Sequence, residues 1–104
     1  MITTVVQFKV RDTMSRDAVT EEFSNKAPSY QSIEGLMQKN YLLSEDGQIA
    51  GGSYLWRSRA DAERLFTDDW KKNIAKRFGS DPSIAYFESA VIVDNVHGEI
   101  IEDS

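Results

Sequence analysis

The side chains best suited to chemistry gather between residues 39 and 57. There Lys39, Tyr41, Tyr54, Trp56 and Arg57 supply an amine, two phenols, an indole and a guanidinium. Asp46-Gly47 lies midway between them and is the strongest hairpin signal in the sequence, because both residues tolerate the positive φ of a tight turn. A two- or four-residue turn pairs Leu43 with Ala50, Tyr41 with Gly52, Lys39 with Tyr54 and Met37 with Trp56. Side chains alternate along a strand, so these residues share one face. Leu36, Gln38, Asn40 and Leu42, with Gly51, Ser53, Leu55 and Arg57, share the other. A bulge at Gly51-Gly52 would shift part of this assignment. The first face gathers Lys39, Tyr41, Tyr54 and Trp56, and Gly52 opposite Tyr41 leaves room for a ring. Buried phenol and indole groups need hydrogen-bond partners. Such a face is either a tightly hydrogen-bonded core or a pocket for an aromatic ligand.

Other chemistries find less support. Cysteine is absent, which removes disulfides, thiolate metal sites and thiol nucleophiles. The single histidine, His97, lies near the C-terminus without a clustered partner, so it makes a poor metal ligand and no Ser-His-Asp triad. It reads as a solvated tail residue. Asp68-Asp69, Glu99, Glu102 and Asp103 lack the glycine-containing loop of a calcium site. Gly51-Gly52 falls inside a strand, not before a helix, so no phosphate loop is present. No metal and no cofactor are expected.

The elements that position the aromatic face follow from periodicity. Thr3 to Val10 alternates apolar and polar residues and predicts a half-buried strand. Thr13 or Ser15 can cap a helix whose stripe is Val19, Phe23, Ala27 and Tyr30, with a kink or break expected at Pro28. Leu36–Ser44 and Gln48–Arg57 are the hairpin strands. Ser58 and Asp61 resemble a capping box. Ala62, Leu65, Phe66, Trp70, Ile74 and Phe78 form a second helical stripe, which Thr67-Asp68-Asp69 could re-cap and split. Gly79 fits a C-cap and Pro82 a stop. Ile84 to Val93 predicts a final strand, and residues 95–104 an acidic tail. The order β-α-β-β-α-β is the ferredoxin-like pattern of the α+β class, an antiparallel sheet with helices on one face. Tyr41, Tyr54 and Trp56 are assigned to the helix-covered face, where Phe23, Tyr30, Phe66 and Trp70 can meet them. The other face is bare in a monomer. Pairing two sheets face to face covers it and builds a barrel between subunits.

A chain of 104 residues is expected to form one domain, 1–104. It has few glycines and prolines, and no repeats or internal linker. Its net charge of −5 disfavours nucleic acid, because phosphate binding needs clustered Lys and Arg. The one dense basic group, Lys71, Lys72, Lys76 and Arg77, follows Asp68-Asp69 and reads as a salted helix face. No basic, apolar leader and no long apolar run occur, so no membrane span is expected and the cytoplasm is the expected compartment.

The element order, together with Gly35-Leu36-Met37-Gln38-Lys39-Asn40-Tyr41 and Ala50-Gly51-Gly52-Ser53-Tyr54-Leu55-Trp56, resembles the YdhR-type monooxygenase family. That family belongs to the dimeric α+β barrel superfamily, alongside the antibiotic-biosynthesis monooxygenases. The resemblance runs from the first strand to Val93-Asp94-Asn95. It implies a homodimer joined through the sheet face, with a pocket in each subunit between sheet and helices. It further implies oxidation of a small aromatic phenol or quinol by dioxygen without cofactor, the substrate supplying the electrons once deprotonated. Such chemistry needs a slot for a flat ring, a group that takes the phenolic proton and stabilisation of the anion. Trp56 and Trp70 are suited to hold the ring. Tyr54, Tyr41 and Lys39 are suited to hydrogen-bond the phenolate, and Arg57 to stabilise it if a bulge turns it inward. Phe23, Tyr30 and Phe66 complete the wall. Asn40 is of a type that relatives use near substrate, but the register puts it on the dimer side. Haem degradation ranks low, because no histidine lies in a strand or helix. Each candidate also has a plain structural reading: Trp56 and Trp70 as core, Lys39 reaching to the rim, the tyrosines as cross-strand packing, Arg57 paired with Asp61 or the acidic tail. The alternatives to catalysis are a dimer that binds an aromatic ligand without turning it over, or an isomerase on the same scaffold.

Overall fold

Alternation in the first strand separates Thr4, Val6 and Phe8, all buried, from Thr3, Val5 and Gln7. A computed structural model of the chain describes residues 1–103. Strand β1 (Ile2–Lys9) leads to helix α1 (Arg16–Tyr30), then β2 (Leu36–Leu43) and β3 (Ile49–Trp56). Helices α2 (Arg59–Leu65) and α3 (Asp68–Phe78) follow, then β4 (Ser83–Glu88), β5 (Val91–Asp94) and β6 (Glu99–Glu102). The four-stranded antiparallel sheet has the order β2-β3-β1-β4, the ferredoxin-like arrangement. The core lies between this sheet and the helices, around Val6, Phe8, Val19, Tyr54, Trp56, Ala62, Phe66, Ile74 and Phe78.

The caps behave as their chemistry requires. The Ser15 hydroxyl accepts the Ala18 amide proton, and Ser58 does the same for Asp61. The Thr67 hydroxyl accepts from Trp70 N–H, so the second stripe splits into α2 and α3. Gly79 ends α3 at φ 110°, a left-handed conformation that glycine adopts without Cβ strain.

Four expectations need correction. Pro28 neither breaks nor ends α1, which runs on to Tyr30. Its missing N–H costs one bond to the turn before it, the helix continues to Tyr30, and Gln31 N–H bonds the Pro28 carbonyl to close the last turn. Met37 does not pair with Trp56. The Lys39–Tyr54, Tyr41–Gly52 and Leu43–Ala50 pairs hold, but a bulge between Leu36 and Gln38 puts Leu36 opposite Trp56 and leaves Met37 exposed. The strand from Ile84 does not reach Val93 unbroken. Its partner β1 ends at Ile2, opposite Glu88, and the chain leaves the sheet there. Finally, residues 99–102 do not lie in a free tail: β6 pairs with β5 as a hairpin, Asp94 with Glu99 and Val91 with Glu102. The Asp94 carboxylate accepts from the Val96 and His97 amides, and Gly98 takes φ 67°.

Candidate functional site

The hairpin register fixes the site. Lys39 and Tyr41 on β2 stand opposite Tyr54 and Gly52 on β3, all on the helix side. The missing side chain of Gly52 makes space, since a Cβ there would lie 3.0 Å from the Tyr54 ring and 3.2 Å from Lys39 Cε. Without it, the lysine stem passes over the strand into the aromatic layer. A Cβ at Gly51 would overlap the Val6 carbonyl oxygen, so this glycine lets β1 and β3 approach. The two adjacent glycines thus do separate things.

Lys39 Nζ lies 3.4 Å from the Tyr30 ring centre, 3.8 Å from that of Tyr41 and 4.6 Å from that of Tyr54. It has no hydrogen-bond acceptor among the described residues. Burial, reinforced by the Arg77 guanidinium, pulls its pKa down to about 7. The ring faces act in the opposite direction, since they favour the cation. The phenols move the other way. Tyr41 is pushed up to about 12 by burial and by Tyr30, against the opposing pull of Arg77. Tyr54 is raised by burial, Tyr30 and Tyr41. At neutral pH these phenols are therefore un-ionised and able to donate hydrogen bonds. The Tyr41 hydroxyl is buried without a hydrogen-bond partner among the described residues, an arrangement proteins rarely leave unfilled.

These groups border a small cavity of about 20 Å³, room for a single water. Phe8, Ile74 and Phe78 also line it. Tyr30, Lys39 and Tyr41 separate it from an open groove of about 360 Å³ running past Ala27, Gln31, Leu36, Met37 and Gln38. Met37, which the bulge removes from its pair, lies along this groove.

Of the candidates named from the sequence, Tyr54, Lys39, Tyr41, Phe23, Tyr30 and Trp70 line the cavity together. Phe23 stacks on Tyr41 with centroids 4.6 Å apart, and Trp70 Nε1 donates to the Tyr30 hydroxyl at 3.1 Å. Trp56 is not among them. It is fully buried behind Tyr54 and donates Nε1–H to Thr4 Oγ1 at 3.0 Å. Phe66 packs edge-on against Tyr54, Trp56 and Trp70, as core. Arg57 is exposed and borders a different depression with Met1, Glu88 and Asp103, because the bulge at that end lies in β2 while β3 keeps unbroken register against β1. Asn40 pairs with Ser53 on the open face, as its register requires. Two cations not named as candidates from the sequence line the cavity instead: Arg77 and Lys26. The signal was spacing. Arg77 is three residues after Ile74 and seven after Trp70; Lys26 is three after Phe23 and four before Tyr30. Both positions flank an apolar stripe.

A family model described as "Putative mono-oxygenase ydhR" matches residues 4–88. The chain belongs to that family. Solved structures with the same fold include the ActVA-Orf6 monooxygenase of Streptomyces coelicolor in complex with nanaomycin D. It is 15% identical with a TM-score of 0.66, covering 88% of this chain and 90% of that one. SnoaB, a cofactor-independent oxygenase from Streptomyces nogalater, is also 15% identical, at TM-score 0.63 over 85% and 91%. Rv0793 from Mycobacterium tuberculosis is 12% identical, at TM-score 0.64 over 84% and 92%. At these identities the likeness is one of fold. No curated protein matches the chain. Among the described residues no group of three or more His, Cys, Asp or Glu is placed to hold a metal ion, and no helix is long and apolar enough to cross a membrane.

Proposed function

We propose that the protein is a cofactor-independent monooxygenase in which Lys39 takes the phenolic proton of a small aromatic substrate. The observation that carries this is the Lys39 amine, enclosed by three tyrosine rings at the boundary between cavity and groove and brought near neutrality. Membership of the mono-oxygenase family supports the reading, as does a fold shared with SnoaB.

The chemistry is written for a naphthol. Lys39 removes the O–H proton. The electron-rich ring carbon opposite the oxygen adds dioxygen, forming a C–O bond and a peroxide anion. That peroxide breaks its O–O bond and expels hydroxide, which carries off the hydrogen of the same carbon. The proton on Lys39 neutralises the hydroxide. One naphthol and one dioxygen become one naphthoquinone and one water, and the substrate supplies every electron. Tyr41 and Tyr54, held as neutral phenols, donate to the phenolate oxygen, and Trp70 and Phe23 flank the ring. The cavity has room for one water, so substrate enters from the groove by displacing the Tyr30–Lys39–Tyr41 boundary.

The protein is further read as a homodimer. The open sheet face carries rows such as Phe87–Thr3–Leu55–Gln38 and Ala85–Val5–Ser53–Asn40. Phe87 is 56% exposed, and the β5–β6 hairpin exposes Val91, Val93 and Ile100 beside it. A second copy laid on this face would bury these apolar side chains.

The test is oxygen uptake by the purified protein with a naphthol. Wild type consumes oxygen and releases naphthoquinone. Lys39→Met, similar in length and shape, slows this by at least about a hundredfold while leaving the fold intact. Uptake unchanged in the variant would sink the assignment. Ligand binding without uptake in either protein would favour a ligand-binding dimer, for which the unpartnered Tyr41 hydroxyl speaks.

A further inference from the structure

The charge around the cavity reverses that of the molecule. The chain carries −5, yet Lys26, Lys39 and Arg77 line the cavity and no carboxylate does. Among the described residues, Glu22 is the one acid that forms an ion pair with this group. It pairs with Arg77 through one oxygen, Oε2, which accepts from Nε at 3.1 Å and from Nη2 at 2.8 Å, while Nη1 makes no hydrogen bond among the described residues. Lys39 Nζ has ring faces around it but no acceptor. The Tyr41 hydroxyl is buried and orphaned. Arg77, half-buried, and Lys26 at the rim place positive charge at the edge of the cavity, which attracts an anion. A neutral phenol has one hydroxyl, which can answer Lys39 and Tyr41 but leaves Lys26 and the free Nη1 of Arg77 without an acceptor among the described residues.

We infer that the substrate of this cavity is an aromatic acid: a flat ring whose hydroxyl meets Lys39 and Tyr41, with a carboxylate elsewhere on the ring system held by Arg77 and Lys26. This rests on the reading of the cavity as the reaction site. The division of labour is chemical. Arg77 offers planar, always-charged donors suited to a carboxylate. Lys26 is exposed and brings a flexible charge to the rim. Lys39 is left to handle the proton. Glu22 fixes the guanidinium before the ligand arrives, so little side-chain freedom is lost on binding.

The experiment is calorimetric titration of the whole protein with two probes, a naphthol and the same naphthol carrying a carboxylate on its other ring. The acid binds at least about tenfold more tightly at low ionic strength, and added salt erodes the advantage. Arg77→Gln reduces the acid's affinity more than the naphthol's. Lys26→Gln, at an exposed position where folding is not at stake, acts in the same direction and more weakly. Equal affinity for the two probes, or a preference that survives both substitutions, would overturn the inference while leaving the oxygenase reading to be judged by oxygen uptake with naphthol. Binding of neither probe would overturn both.

Discussion

Lys39 concentrates the physical conflict in the molecule. Its amine is buried beside a guanidinium, which favours the neutral form, yet it lies on three ring faces, which favour the cation. The consequence for stability has a definite sign. With a folded pKa of about 7 against an ordinary 10.5, the unfolded chain binds more protons between those values. The stability contribution of this residue therefore rises with pH from about 7 toward 10.5, and is at its least below 7. Tyr41, raised to about 12, acts oppositely at the alkaline end: above the ordinary value of 10.0 the folded state holds the extra proton, and stability falls. Urea denaturation midpoints followed from neutral to alkaline pH should climb and then turn down. In Lys39→Met the climb should be reduced; a climb of equal size in the variant would refute the assignment of the shift to this lysine.

At the scale of elements, the hairpin positions the site and the glycine pair permits it. Gly52→Val puts a branched side chain where Lys39 Cε and the Tyr54 ring already sit. Such overpacking costs about 1–3 kcal/mol, and it displaces the amine from its tyrosines. Oxygen uptake should fall at least about tenfold more than the loss of folded protein, measured by thermal melting, explains. Activity tracking only the folded fraction would mean the glycine serves packing alone. Much of this was legible in the sequence, because Asp46-Gly47 sets the register and period-two alternation then carries Lys39, Tyr41, Tyr54 and Gly52 onto one face. What was not legible has physical reasons. The bulge at Met37 depends on how β2 meets the loop after α1, which local pattern does not encode. Trp56 and Trp70 look alike as indoles near an aromatic face, but the buried Thr4 hydroxyl across the sheet claims one of them. Arg77 sat among other basic residues and read as solvated surface, whereas its ion pair to Glu22 on α1 turns it to the cavity. The C-terminal hairpin was hidden because its strands, Val91–Asp94 and Glu99–Glu102, are short and its turn carries no Asn-Gly or Asp-Gly pair.

The whole molecule poses a question of surface. One sheet face is covered by the helices, and the other exposes Leu42 and Phe87, with Leu55 half-buried and the start of β5 at one side. The apolar β5–β6 hairpin is anchored beside that face through the Thr3–Ser89 hydroxyl contact and the Met1–Asp103 ion pair. Small domains bury a modest fraction of their surface, so covering this face with a second copy adds the apolar burial a single chain lacks. Sedimentation at micromolar concentration should give a dimer, and Phe87→Asp should shift it toward monomer. A wild-type monomer under those conditions would contradict the dimer reading without touching the chemistry within each subunit. That chemistry is tested most directly by supplying heavy-isotope dioxygen with a naphthol and reading the product by mass spectrometry. The account predicts a quinone with one labelled oxygen atom from wild type, and at most trace labelling from Lys39→Met. An unlabelled quinone, no quinone at all, or equal labelling by the two proteins would contradict it.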